Sequence, residues 1–190
     1  MQNIDIVLIL VWAAYFTYWI LSAWKDRSPL KRRPGVKPTG IMLLMLPVEM
    51  GSVLLVTFFP DIITGRFLPA AAPCIIAGTV ITLIGLAFAI WARLHLGKSW
   101  TGLPAIRQNH EMVRTGPYSA VRNPIYTGIL VALAGTAIAT GYTAALLLLI
   151  VAGIVFIGKI RTEERLLEDE FGEDYLRYKR EVKALVPYVV

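Results

Sequence analysis

Residues 123–158 form a run of 36 without a charged side chain. As one helix this run would reach about 54 Å at 1.5 Å per residue. The hydrocarbon core of a bilayer is only about 30 Å thick. Folded back on itself, the run supplies two segments of about 17 residues each, the lower limit for a membrane span. The stretch at 139–143, Ala-Thr-Gly-Tyr-Thr, offers the turn, with Gly141 at its centre. A tight helical hairpin is therefore expected here.

Three more apolar stretches precede it. Residues 6–24 carry no charge, residues 40–59 carry only Glu49, and residues 67–92 carry none. Together these predict an all-α integral membrane protein with about five transmembrane helices. The composition agrees: 17% of the 190 residues are charged, against roughly 25% in soluble domains, and the mean hydropathy is +0.62. A closed β-barrel is excluded, because the apolar runs are continuous and do not alternate. The N-terminal stretch reads as a span and not as a cleaved signal, since Lys25 is its first basic residue.

The net charge of +6 does not indicate nucleic acid. Basic residues flank the apolar runs and form no stripe on a soluble face. They read as topology signals and as contacts to anionic lipid. With five spans, all of the 19 lysines and arginines except Arg66 fall on one side. With four spans, the basic C-terminal region would lie on the wrong side. The expected topology has the N-terminus outside and the C-terminal helical region in the cytoplasm, in the plasma (inner) membrane if the cell is prokaryotic. Trp12, Trp19, Trp24, Tyr15 and Tyr18 crowd the first span, as an interfacial belt would. Cys74 reads as a small buried apolar residue. His95 and His110 share no metal-ligand spacing with other ligands, so no metal site is expected.

The polar chemistry gathers in two cytoplasmic segments. Residues 96–126 are broken by Gly97, Gly102, Pro104, Gly116, Pro117 and Pro124, so they read as an ordered loop or short helices. Pro124 suits the first turn of the fourth span, and Asn123 the cap before it. The free N–H groups of that helix start could bind a carboxylate. In residues 159–178 the fifth span continues as a charged helix. Lys159 and Glu163 share a face, Leu166 and Leu167 give an apolar stripe, and Gly172 is a stop. Glu49, an intramembrane carboxylate, is a functional candidate: either a substrate-pocket contact or a polar contact between helices.

Four pieces of this half carry a resemblance. They are His110-Glu-Met-Val-Arg-Thr-Gly-Pro-Tyr118, Val121-Arg-Asn-Pro-Ile-Tyr-Thr-Gly128, Glu163-Glu164, and Phe171-Gly-Glu-Asp-Tyr175-Leu-Arg-Tyr178. In this order, with a span hairpin among them, they resemble the isoprenylcysteine carboxyl methyltransferase family and the wider group of membrane phospholipid methyltransferases. The likeness divides the chain into residues 1–92, with three spans, and residues 93–190, a cofactor-binding region that includes the hairpin.

The resemblance implies methyl transfer from S-adenosylmethionine at the cytoplasmic membrane face. The acceptor would be lipid-like or apolar and reach the site from the bilayer. It could be a carboxylate, as in isoprenylcysteine, or an amine, thiol or phenol. The implied cofactor contacts are His110, Glu111, Met112 and Val113, then Tyr118, then Asn123, Pro124, Ile125 and Tyr126, and finally Glu163. A basic residue before the glutamate pair would contact substrate, and both Lys159 and Arg161 qualify. Where the family has Arg-His-Pro, this chain has Arg122-Asn123-Pro124, and asparagine cannot titrate.

The cofactor's chemistry suits these residue types. Tyr118 and Tyr126 could face its sulfonium. Arg114, Arg122 or the helix start could hold its carboxylate. Glu163 could accept from its ammonium or ribose. Glu164 is the candidate general base. The competing readings are an NADPH-dependent membrane reductase of related helix arrangement and a small non-enzymatic transporter. Partners are membrane lipids and the substrate, with no nucleic acid.

Overall fold

The computed structural model describes residues 3–25, 30–32, 65–99, 106–107 and 112–187. The expected second span with Glu49, and the site candidates His110 and Glu111, lie outside these residues. The described elements are helices apart from one short strand pair. Helix α1 covers Asn3–Lys25, α2 Ala72–Leu96, α3 Pro117–Ala120, α4 Pro124–Thr140, α5 Thr143–Phe171 and α6 Glu173–Glu181. Strand β1, Leu30–Arg32, pairs antiparallel with β2, Ile106–Arg107. The sequence carried no sign of this pairing. It sets Leu30–Arg32, which follows α1, beside Ile106–Arg107, which follows α2.

α2 and α5 are long and apolar enough to cross a membrane, while α4 and the apolar part of α1 are shorter. The hairpin turns where glycine permits it. Gly141 takes φ 67° and ψ 6°, the left-handed conformation that ends a helix, and its N–H donates to the Ala137 carbonyl. Residues 65–68 brace the turn. The Phe67 N–H donates to the Gly141 carbonyl and the Thr143 N–H to the Gly65 carbonyl, both at 2.9 Å. The Arg66 guanidinium lies 4.9 Å from the centre of the Tyr142 ring. Arg66 thus sits at the hairpin end, opposite the basic segments around α6.

α2 and α4 run antiparallel along a seam of small residues. A Cβ on Gly135 would come within 2.4 Å of the Thr82 nitrogen, and one on Gly85 within 2.5 Å of the Ala132 nitrogen. Such backbone approach is the usual source of helix association in lipid, where no hydrophobic driving force separates helix from acyl chain. The Thr82 hydroxyl closes the seam with the Gly78 carbonyl at 2.9 Å and the Ala132 carbonyl at 3.3 Å.

α1 lies against this pair. The Trp12 indole N–H donates to the Thr136 hydroxyl at 3.0 Å. Tyr15 packs with Leu86, Ala89 and Ala132, joined by Trp19. Trp12, Tyr15 and Trp19 therefore pack between helices, while the side chain of Trp24 lies outside the described residues. α1 meets Thr136 of α4 at Trp12 and the cluster of Ala132, Leu86 and Ala89 at Tyr15, so its direction opposes α4 and matches α2.

Candidate active site

The site lies where the start of α4 meets the charged continuation of α5. α5 stays helical past Gly158 to Phe171, and Gly172, at φ 54°, ends it and lets α6 fold back. Residues four apart share a helix face, and each single step turns it by about 100°. That phase sorts the charged residues of α5.

Lys159 and Glu163 face Tyr126 of α4. The Tyr126 hydroxyl reaches both Glu163 carboxylate oxygens at 2.9 Å. The Lys159 ammonium lies 3.8 Å from Glu163 Oε1 and 5.4 Å from the centre of the Tyr126 ring. Phe156 closes the cluster, its ring 4.8 Å from that of Tyr126. Burial raises the Glu163 carboxyl above its usual range, opposed by the charge of Lys159 and the Tyr126 hydrogen bond. Arg161, pointing away, is exposed. Of the two basic candidates, the fold brings Lys159 to the cluster and leaves Arg161 outside.

One step around the helix, Glu164 faces Arg122. Arg122 Nε and Nη2 both donate to Glu164 Oε1, at 2.9 and 2.7 Å, and the two side chains are 7% and 8% exposed. Lys179 of α6 reaches Glu164 Oε2 at 3.1 Å and Glu168 at 2.7 Å. Its hydrogen bond to Glu168 leads in raising the Lys179 pKa. Both Glu164 oxygens are thus engaged by cations, and the side chain faces Arg122 and Lys179 instead of the Tyr126–Glu163 cluster. Arg122 is likewise spent: Nη1 donates to the carbonyls of Lys179 and Val182.

Asn123 occupies the N-cap position of α4 as expected, but its side chain makes no capping bond. Its Nδ2 donates instead to the Ala184 carbonyl at 3.3 Å. Pro124 is buried, and Ile125 half-buried. Tyr118 is buried beside His95, ring centres 6.4 Å apart, and its hydroxyl donates to the Ala92 carbonyl at 3.4 Å. Burial raises its phenol, with Tyr178 and Glu163 adding in the same direction and Arg93 opposing. Val113 is half-buried, and the Met112 sulfur accepts from Arg114 at 3.5 Å. Arg114 is anchored to the Asp174 carbonyl at 2.6 Å. Among the described residues no group of three His, Cys, Asp or Glu could hold a metal.

The sequence reading missed the part played by α6 and the segment after it. The Tyr178 hydroxyl donates to the Tyr118 carbonyl at 2.5 Å, and Lys179 completes the Glu164 pair. Tyr178 stood within the recognised stretch, so a signal was present. Residues 182–185 act through backbone carbonyls, which leave no mark in side-chain chemistry.

The fold has a counterpart among solved structures, the eukaryotic intramembrane Ras methyltransferase (isoprenylcysteine carboxyl methyltransferase). The TM-score is 0.55 at 20% identity, covering 80% of this chain and 53% of that one. At that identity the likeness concerns the fold. A family profile described as phospholipid methyltransferase matches residues 73–174, more than half of the chain. The chain belongs to the phospholipid methyltransferase family. It is 30% identical over 115 residues to protein-S-isoprenylcysteine O-methyltransferase B of Arabidopsis thaliana, covering 59% of this chain and 58% of that protein. It is 42% identical over 73 residues to methanethiol S-methyltransferase 1 of Bradyrhizobium diazoefficiens, covering 37% of this chain and 24% of that protein. The chain thus spans less than two thirds of these relatives' lengths.

Proposed function

We propose that this protein transfers a methyl group from S-adenosylmethionine to a lipid-like or apolar acceptor that reaches the site from the membrane. The observation that carries the reading is the Tyr126–Glu163–Lys159 cluster at the mouth of the hairpin. A buried carboxylate with a raised pKa gains from a cationic ligand. Its tyrosine neighbours, Tyr126 and Tyr118, are the residues whose ring faces attract cations. These features fit a ligand that carries an ammonium and a sulfonium.

The cofactor supplies a methyl group on cationic sulfur, and the chain's task is to position and desolvate. Glu163 accepts from the ammonium or ribose hydroxyls. Met112, Val113, Asn123, Pro124 and Ile125, with His110 and Glu111 before them in sequence, would supply the remaining cofactor contacts. Lys159 meets the acceptor, and a carboxylate acceptor needs no general base. The names of the relatives span a carboxylate and a thiol acceptor, and this chain's acceptor falls in the range of carboxylate, thiol, amine or phenol. Residues 93–190 carry the cofactor groups, and residues 1–92 supply the helices that brace them.

The same reading sets the site at the cytoplasmic face of a five-span protein with its N-terminus outside. Two observations support it: the common direction of α1 and α2, and the position of Arg66 at the end opposite the other described basic segments. The test is a labelled-methyl assay in native membranes, followed by isolation of the labelled product. Label in an apolar product, absent with Glu163→Gln, supports the reading. No label above that variant contradicts it.

A further inference from the structure

Glu163 and Glu164 are neighbours with different partners: the first meets Tyr126, the second Arg122 and Lys179. Along its apolar length α5 turns Leu148, Ile150, Val151, Ile154 and Val155 outward, so little packing there fixes its distance from α4. It is tied to α4 at the Gly141 turn and, at the far end, by Arg122–Glu164 and Tyr126–Glu163.

Arg122 is also where the C-terminal segment attaches. Its side chain donates to the Lys179 and Val182 carbonyls, and its backbone N–H to the Lys183 carbonyl at 2.8 Å. The contact continues in register. The Asn123 N–H and Nδ2 both donate to the Ala184 carbonyl, at 3.0 and 3.3 Å, and the Thr127 hydroxyl donates to the Leu185 carbonyl at 2.8 Å. Residues 182–185 therefore lie along 121–127, fastened on both sides of Tyr126 in the sequence.

We propose that Arg122, Glu164 and Lys179 form a clasp that straps residues 182–185 across the first turn of α4 and so positions Tyr126 against Glu163 for cofactor binding. This rests on the function proposed above. In it Arg122 is a positioning residue and does not hold the cofactor's carboxylate, because its fork is occupied by Glu164 and backbone carbonyls. Breaking a buried pair leaves an uncompensated charge. Lys179, with 41% of its side chain exposed, tests the clasp without that complication.

The test compares the parent with Lys179→Met, Lys179→Arg and Arg122→Gln. One readout is the rate of tryptic cleavage after Lys183 in the ligand-free protein. The other is the split between cofactor KM and kcat. Lys179→Met is expected to speed cleavage and raise the cofactor KM roughly three- to tenfold, within the range of coupling through a network, with kcat changed less. Lys179→Arg should restore both, and Arg122→Gln should exceed Lys179→Met in both. Cleavage unchanged in Lys179→Met and Arg122→Gln would overturn the clasp. A raised KM in Arg122→Gln without faster cleavage would overturn it too, and make Arg122 a direct cofactor ligand. A parent that binds no S-adenosylmethionine would refute the proposed function, while the cleavage rates still decide whether the strap is held by the clasp.

Discussion

The hydroxyl of Tyr126, in the first turn of α4, spans both carboxylate oxygens of Glu163 on α5 at 2.9 Å each. The residues stand 37 apart in the chain, and the hairpin at Gly141 is what returns one to the other. The pair joins the two helices and presents the carboxylate in a mostly buried setting, where a charged partner counts for more than in water.

Removing either partner should weaken cofactor binding without unfolding the bundle, which is held by the α2–α4 seam. A hydrogen bond to a charged group contributes roughly 1.5–3 kcal/mol, so Glu163→Gln should cost about 10- to 100-fold in S-adenosylmethionine affinity. Tyr126→Phe and Tyr118→Ala should each reduce it as well. Equilibrium binding to protein purified in detergent measures this. Parent-like affinity in all three variants would remove the cofactor from this place.

The raised pKa of Glu163 predicts opposite pH trends for stability and for binding. A carboxyl whose folded pKa exceeds its unfolded value contributes stability fully below the unfolded pKa, and loses it as pH rises through the folded one. Glu163→Gln should therefore match the parent in acid and melt higher than it at neutral pH. Cofactor binding requires the ionised form, so parent affinity should fall as pH drops through the same window. Melting curves and titrations across pH decide both. A parent that melts above Glu163→Gln at neutral pH would contradict the argument.

Lys159 and Arg161 separate by helical phase. Lys159→Met should raise the KM for the methyl acceptor, because its ammonium sits at the Tyr126–Glu163 cluster. Arg161→Met, at an exposed position, should leave that KM within twofold or so of the parent, as surface changes commonly do. Equal effects from both would break the assignment.

The seam between α2 and α4 tolerates nothing larger than what it holds. Gly135→Val forces a Cβ to within 2.4 Å of the Thr82 backbone nitrogen, and overpacking of this kind costs about 1–3 kcal/mol. At Gly153 an added Cβ meets nothing within 4 Å, so Gly153→Ala should be neutral or slightly stabilising through helix propensity. Thermal unfolding of the two variants should diverge in those directions.

Much of this was legible because it followed from charge and backbone freedom. The uncharged run at 123–158 was too long for one span, and Gly141 was the residue able to reverse it. Gly172 ended α5 for the same reason. The recognised stretches contained both halves of the Tyr126–Glu163 pair. Three features stayed hidden for physical reasons. The Gly78–Thr82–Gly85 face of α2 looks like any apolar helix until its partner is known. The choice between Lys159 and Arg161 depends on the rotation of α5 against α4, which residue spacing alone does not set. The two cations that hold Glu164, Arg122 and Lys179, come from segments distant in sequence, so spacing could not pair them with it.

The most direct measurement is a calorimetric titration of the purified full chain with S-adenosylmethionine and, separately, with NADPH. Saturable binding of S-adenosylmethionine, with none for NADPH, is the result predicted here. Binding of NADPH instead, as a reductase would show, or of neither ligand, as a transporter would show, would contradict it.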